Sequence, residues 1–463
     1  MLRAEARRST MTMPADPRAV LRTPDYTRLL VLAALIGAPI AAAAWGFLWL
    51  VSEAQDWLYT DLPSGLGFDD EPTWWPLPLL ALAGLLVALT IRYLPGHGGE
   101  SPAEGFHAGG PPPTPIELPS IFIAALTGLA LGAVIGPEAP LIALGAGLGV
   151  CAVRLARRDA PATTLTVVAA AGSFAAFSTL VGSPLIAAFI LMEAIGLGGP
   201  MLGTVLVPGL VAAGIGTLIF VGLDSLTGLG KFSLAIPDLP AAGTPTIAEF
   251  GWAIAIGVVA APVGLGIRRL ARSLRPHVER RILVLTPVAG LAIAGLAILF
   301  GEVSDKSSSL VLFSGQDALG PFLDDTASYS IGALVLLLVC KTLAYGVSLS
   351  SFRGGPIFPA LFVGAVGGVA VSHLPGLDPV AGAAMGMGAM VVVMLGLPLS
   401  AVLLATLLLG SNGLDVTPLV IIAVAIAYVA AERLTPAPAA PAAPAAPAPA
   451  QATAPARQSP VAG

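Results

Sequence analysis

A chain of 463 residues with 56% hydrophobic and 11% charged side chains is not a soluble globular domain, since such domains carry about a quarter of their residues as charges. Its mean hydropathy of +0.89 points to an all-α protein that crosses a membrane several times. The net charge of −5 says little about partners, and no basic stretch interleaved with aromatic residues marks a nucleic-acid surface. Residues 1–28 form an Arg-rich N-terminal segment mixed with acids, without the short apolar core and cleavage site of a signal peptide. Apolar segments follow at 29–51, 76–93, 119–135, 138–152, 163–181, 184–197, 201–222, 250–267, 282–300, 328–347, 357–372, 380–396, 398–410 and 416–431. Several are shorter than the ~20 residues of a full span. Broken by Gly and Pro, they read as half-helices that meet inside the bilayer. The Pro/Ala-rich tail, residues 434–463, cannot bury a core and is expected to be disordered. Cys151 and Cys340 lie in or beside apolar segments and read as packing residues rather than a disulfide.

The chain contains an internal repeat. "GPEAPLIALGAGLGV" (136–150) matches "GPIFPALFVGAVGGV" (355–369) at seven of fifteen positions, at an offset of 219. "GSPLIA" (182–187) matches "GLPLSA" (396–401) at four of six, at an offset of 214. The order is the same in both halves, so the chain divides into repeats 29–225 and 245–433 joined by a connector, 226–244. Arg154, Arg157 and Arg158 follow the first motif, whereas His373, Gly376 and Leu377 stand at the equivalent places of the second. Lys and Arg favour the cytoplasmic side, so the halves are expected to be inverted. Arg268, Arg269, Arg272, Arg275, Arg280 and Arg281 mark a further cytoplasmic loop on this reading, with both termini cytoplasmic. Inverted repeats with broken helices are a transporter architecture whose sites lie near the midplane.

Within "AVIGPEAPLIALGAGLGV" (133–150), Glu138 is the single acid. An ionised acid at mid-bilayer costs about 2.5–3.5 kcal/mol on insertion scales. Proline is tolerated in the first turn of a helix, so Pro137 and Pro140 bracket a helix start and place Glu138 there. Free N–H groups and the positive dipole end favour negative charge at that point. Gly355–Pro359 should open a second helix in the other half. Two helix starts facing one spot make an anion site without a full basic charge, which would bind too tightly to conduct. Glu138 then reads as a tethered anion, a gate and a potential proton carrier. The alternative is a carboxylate that only caps its own helix.

These residues resemble the CLC family of chloride channels and chloride/proton antiporters. The family's Gly-Arg-Glu-Gly-Pro gating motif stands here as Gly136-Pro137-Glu138-Ala139-Pro140, and its Gly-x-Phe-x-Pro motif as Gly354-Gly355-Pro356-Ile357-Phe358-Pro359, with the aromatic displaced by one position. "FSTLVGSPLIAAFILMEA" (177–194), "LVLFSGQDAL" (310–319) and "GLPLSAVLLATLLL" (396–409) also fit family segments. The resemblance covers residues 29–433. It implies a homodimer in the cell membrane with one gated pathway per subunit for chloride or a similar small anion, with no cofactor or metal. It also implies anion contacts at Gly136, Pro137, Ala139, Gly355, Pro356, Ile357 and Phe358. Pro356 has no N–H, so the useful donors there are Ile357 and Phe358.

Departures from the family pattern leave several points open. The first anion motif, Gly-Ser-Gly-Ile-Pro, has as its nearest text Gly96-His97-Gly98-Gly99-Glu100-Ser101-Pro102. No serine falls in the expected place: Gly98 and Ser101 are the candidate anion contacts, and His97 is either a substitute for the serine or an ordinary loop residue. The inner proton-transfer glutamate falls on Ala194, while Glu193 matches its neighbour. Glu193 either relays protons or binds across the cytoplasmic interface, or its isolation means no coupled proton path. The helix carrying an anion-binding tyrosine has no counterpart, and Tyr428 reads as a packing or interface residue. Arg353 and Lys341 either draw anions to an entrance or, as lone basic residues more often do, snorkel to the interface.

Channel, antiporter and fluoride-type exporter all remain compatible. Cation or organic-solute transport would call for more core acids than Glu138 and Glu193. A membrane enzyme would need a catalytic or metal constellation, and His97, Glu100, Glu104 and His107 match no standard metal spacing. No Walker-type loop is present, so ATP-driven transport is not expected.

Overall fold

A computed structural model of the chain describes residues 21–69, 71–106, 109–198, 202–227, 236 and 243–435. The first half contains α1 (Pro24–Asp56), α2 (Pro76–Tyr93), α3 (Leu118–Ala130), α4 (Glu138–Ala156), α5 (Ala162–Val181), α6 (Pro184–Ile195) and α7 (Val207–Thr227). The second contains α8 (Ile247–Arg280), α9 (Ile282–Ser304), α10 (Gln316–Asp324), α11 (Ile331–Ser351), α12 (Ile357–Ser372), α13 (Pro379–Leu395), α14 (Pro398–Leu408) and α15 (Ser411–Leu434). Among the described residues nine helices are long and apolar enough to cross a membrane, and five apolar helices are shorter. The fold is an all-α polytopic membrane architecture.

Local chemistry sets the helix ends. Thr23, Ser183, Ser330 and Asp378 cap α1, α6, α11 and α13 by accepting backbone amides of the first turn. Thr246 and Glu249 form a reciprocal capping box on α8. The second repeated motif is a stop–start signal. Gly182 and Gly396 end α5 and α13 in the left-handed region, at φ 66° and 74°, and Pro184 and Pro398 open the next helix two residues later.

Packing repeats the same symmetry. A Cβ on Gly145 would strike the Gly172 carbonyl, and one on Gly364 the Gly386 carbonyl. Missing side chains thus let α4 approach α5, and α12 approach α13, backbone to backbone. Each pair joins equivalent sites of the two halves, because 145 + 219 = 364 and 172 + 214 = 386. Helix α13 is buried along Val380–Met394 and forms the inside of the second half.

Two expectations need correction. The arginine cluster is not a loop: Arg268, Arg269, Arg272, Arg275 and Arg280 ride on α8, and only Arg281 lies at the break before α9. At ~1.5 Å per residue, the 34 residues of α8 run ~51 Å, well past the ~30 Å hydrocarbon core. The charged end therefore projects as helix. There Arg268 donates to the Val393 carbonyl at 3.1 Å and Arg275 pairs with Glu104 and Glu279. The 119–135 segment also stops early: α3 ends at Ala130, and 131–137 turns back into the protein to deliver the first motif.

Candidate anion site at the meeting of the two halves

Gly136 and Gly355 pair as an isolated antiparallel bridge, with N–H···O distances of 2.8 and 2.6 Å. Their numbers differ by 219, the repeat offset, so each glycine pairs with its own counterpart. A second tie joins the halves next to it, where the Val134 amide donates to Ser348 Oγ at 3.0 Å. The bridge consumes the amides of Gly136 and Gly355, and Pro137 and Pro356 have none. The free donors are those of the first helical turns.

Glu138 is the first residue of α4 and is completely buried. Its Oε1 accepts the amide of Phe358, at the start of α12, at 2.7 Å. The amides of Ile357 and of Glu138 itself also face the carboxylate, while Oε2 has no hydrogen-bond partner among the described residues. The slot is built for this group: a Cβ on either Gly136 or Gly355 would occupy the carboxylate's space. Tyr345, fully buried near the end of α11, donates its hydroxyl to the Pro356 carbonyl at 2.6 Å and interacts electrostatically with Glu138. Sequence reasoning missed Tyr345; its one signal was a lone phenol in an apolar helix.

Beyond the carboxylate lies a cavity of about 530 Å³, lined by Gly98, Glu100, Ala139, Pro140, Arg353 and Gly354 among others. The Gly98 amide donates to Ser120 Oγ at 3.3 Å. Ser101 is buried outside this lining, and its hydroxyl has no partner among the described residues. His97 lines the cavity but is a turn residue, at φ 51°, with Nδ1 2.9 Å from the Ile91 carbonyl. His107 lies outside the described residues. The structure thus brings Gly136, Pro137, Glu138, Gly355, Pro356, Ile357 and Phe358 to one point, with Ala139 and Gly98 on the adjoining cavity.

Glu193 stands apart, at the end of α6. Its Oε1 accepts the Leu399 amide at 3.0 Å, and its Oε2 accepts the Ser400 amide at 2.7 Å and Ser400 Oγ at 2.6 Å. Both oxygens are engaged at the start of α14. Neither lone basic residue snorkels. Lys341 is 0% exposed and donates to the carbonyls of Leu312 (2.5 Å) and Phe313 (3.1 Å), with its ammonium over the Phe362 ring. Arg353 is 8% exposed. The carbonyls exposed by the irregular turn at 311–315 compensate Lys341 internally, which removes the need to reach the interface. Tyr428 is half-buried against the core.

Comparison with known proteins agrees with this fold. Residues 79–432 match the family described as voltage gated chloride channel. The "Putative ion-transport protein YfeO" of Escherichia coli strain SMS-3-5 is 32% identical over 336 residues, covering 70% of this chain and 75% of that protein. The protein of the same name from Escherichia fergusonii gives the same identity and coverage. Among solved structures, a slow cyanobacterial Cl−/H+ antiporter superposes with a TM-score of 0.70 at 20% identity, covering 88% of this chain and 95% of that one. A CLC-type fluoride/proton antiporter gives 0.65 at 19% identity, covering 88% and 96%. At such identities these structures speak for the fold. With more than half of its length matched and both repeats laid out as above, the chain belongs to the CLC family of voltage-gated chloride channels and transporters.

Proposed function

We propose that the protein moves a small inorganic anion, chloride or one similar to it, through a pathway gated by Glu138. The observation that carries this reading is the position of the carboxylate. It takes the Phe358 amide at 2.7 Å, at the start of a buried helix in the other half, where a permeating anion would take the same donor. Protonation or a swing of the side chain vacates the place. Family membership sets the chain among channels and transporters rather than enzymes.

Exchange for protons follows if Glu138 carries its proton across. Glu193 does not supply a matching inner relay on this reading, because its oxygens are held by the start of α14. Its role is then to lock the two halves together. The arginine-rich ends of α4 and α8 set the cytoplasmic side, and the cavity bearing Arg353 opens toward it. Helices α6 and α14, of 12 and 11 residues, are too short to span and leave Leu185, Phe189, Leu399 and Leu407 exposed. Helix ends at membrane depth need protein cover, which a second copy in a homodimer provides.

The test is anion efflux from liposomes, with proton movement recorded in parallel, for wild type and Glu138→Ala. The variant keeps anion flux but loses its pH dependence and any proton coupling. An unchanged pH profile refutes the gate. Running the assay with fluoride in place of chloride separates the fluoride-type alternative.

A further inference from the structure

Arg353 occupies the approach to Glu138 from the cavity. It lies in the short turn between α11 and α12, directly before Gly354 and Gly355, and lines the cavity together with Ala139 and Pro140 at the start of α4. Only 8% of the residue is exposed. Its one hydrogen bond among the described residues is long, Nη1 to the Phe352 carbonyl at 3.4 Å. Nε is buried without a partner among the described residues. A guanidinium has five N–H donors and cannot shed its charge. Leaving Nε unpaired away from water is unfavourable, and the Nη donors not spent on Phe352 are open to an acceptor from outside the chain.

The surroundings are shaped around this side chain. Gly98 holds φ 74°, and a Cβ there would lie 2.9 Å from Ala124 Cβ and 3.2 Å from Arg353 Cγ. Only glycine gives both the turn and the room. Acids sit nearby without capturing the guanidinium. Glu279 and Glu104 attract it and Arg275 repels it, while Arg275 itself bonds both acids. Glu117 spends Oε2 on the Thr114 amide at 2.7 Å, and Glu100 is exposed at the cavity wall. The positive charge is therefore tempered by its environment but not neutralised by contact. That combination allows an anion to bind and leave, which an isolated buried charge would not.

The geometry points to Arg353 as the anion ligand of this cavity, holding a small planar monovalent oxyanion of the nitrate or formate type end-on through Nη1 and Nη2. The assignment rests on the anion-transport reading above and names the residue that gives the cavity its selectivity. The planar fork offers two parallel donors, which two oxygens of one anion satisfy together and a halide does not.

The experiment is calorimetric titration of the purified full chain in detergent with sodium nitrate and with sodium chloride, against a gluconate background. Wild type binds nitrate more tightly than chloride. Arg353→Gln weakens nitrate binding by about tenfold or more, the scale of a charge-assisted hydrogen bond. Arg353→Lys keeps a charge but not the fork, so chloride binding persists and the nitrate preference disappears. Nitrate binding equal in wild type and Arg353→Gln overturns the assignment. Should Arg353→Gln fail to fold, the lysine variant decides, and an unchanged nitrate-to-chloride ratio overturns it. The transport reading fails separately: wild-type liposomes that carry no anion flux sink that reading, whereas lost binding in the Arg353 variants still upholds the ligand.

Discussion

Glu138 and Phe358 are joined across the two halves of the protein by a 2.7 Å hydrogen bond from the Phe358 amide to the Glu138 carboxylate. The acid opens one helix and satisfies the opening of another, 220 residues away in sequence. One carboxylate oxygen is thereby engaged and the other, among the described residues, left unpartnered in a slot walled by glycine.

The slot gives the first prediction. Gly355→Ala places a Cβ where the carboxylate sits and so evicts it without removing the acid. Anion flux in liposomes is expected to lose most of its pH dependence. Combining Gly355→Ala with Glu138→Ala should add little to either alone, since both empty the same place. Additive effects would show that Gly355 acts elsewhere.

Glu193 is expected to matter for stability rather than pH response. Glu193→Ala strips two amides and a hydroxyl at the start of α14 of their acceptor and should cost about 1–2 kcal/mol, the scale of a lost helix cap. Thermal unfolding in detergent reads this as a lower Tm. A variant with wild-type Tm but abolished proton movement would restore Glu193 as a relay.

Lys341→Met removes the donor to the Leu312 and Phe313 carbonyls. An orphaned buried acceptor costs about 1–3 kcal/mol, so the variant should unfold at lower temperature although methionine suits the apolar surroundings. An unchanged Tm would mean that water reaches those carbonyls.

Glu71, in the turn between α1 and α2, gives a stability prediction with a definite sign. Burial pushes its carboxyl up to about 7, above the ordinary value of 4.5. A raised carboxyl pKa in the folded state leaves stability intact below the ordinary value and removes it as pH rises through about 7. The wild-type Tm should therefore fall between pH 5 and pH 9, and Glu71→Gln should flatten that fall. Parallel curves for the two proteins would contradict this.

Features written in local sequence were legible without the structure. Gly-x-Pro punctuation gave the breaks before α6 and α14, and Gly-Pro pairs gave the starts of α4 and α12, because glycine and proline act on their own backbone. The repeat offset of 219 anticipated which residues would pair. Partners remote in sequence were not legible. Lys341 meets carbonyls 29 and 28 residues away, and Glu193 caps a helix 206 residues on. A buried cation looks from sequence like one that snorkels, since the difference lies in whether a turn presents free carbonyls. The arginines of α8 looked like a loop because charge marks the membrane boundary, which a long helix crosses without stopping.

The central claim is that the Glu138 carboxylate and the transported anion compete for one place. Anomalous diffraction from crystals soaked in bromide tests it directly. In Glu138→Ala a bromide peak is expected at hydrogen-bond distance from the Phe358 amide, at the position vacated by the carboxylate. In the wild type at high pH that position should hold no bromide. A variant in which the Phe358 amide faces only water, with bromide bound elsewhere or nowhere, would contradict the account.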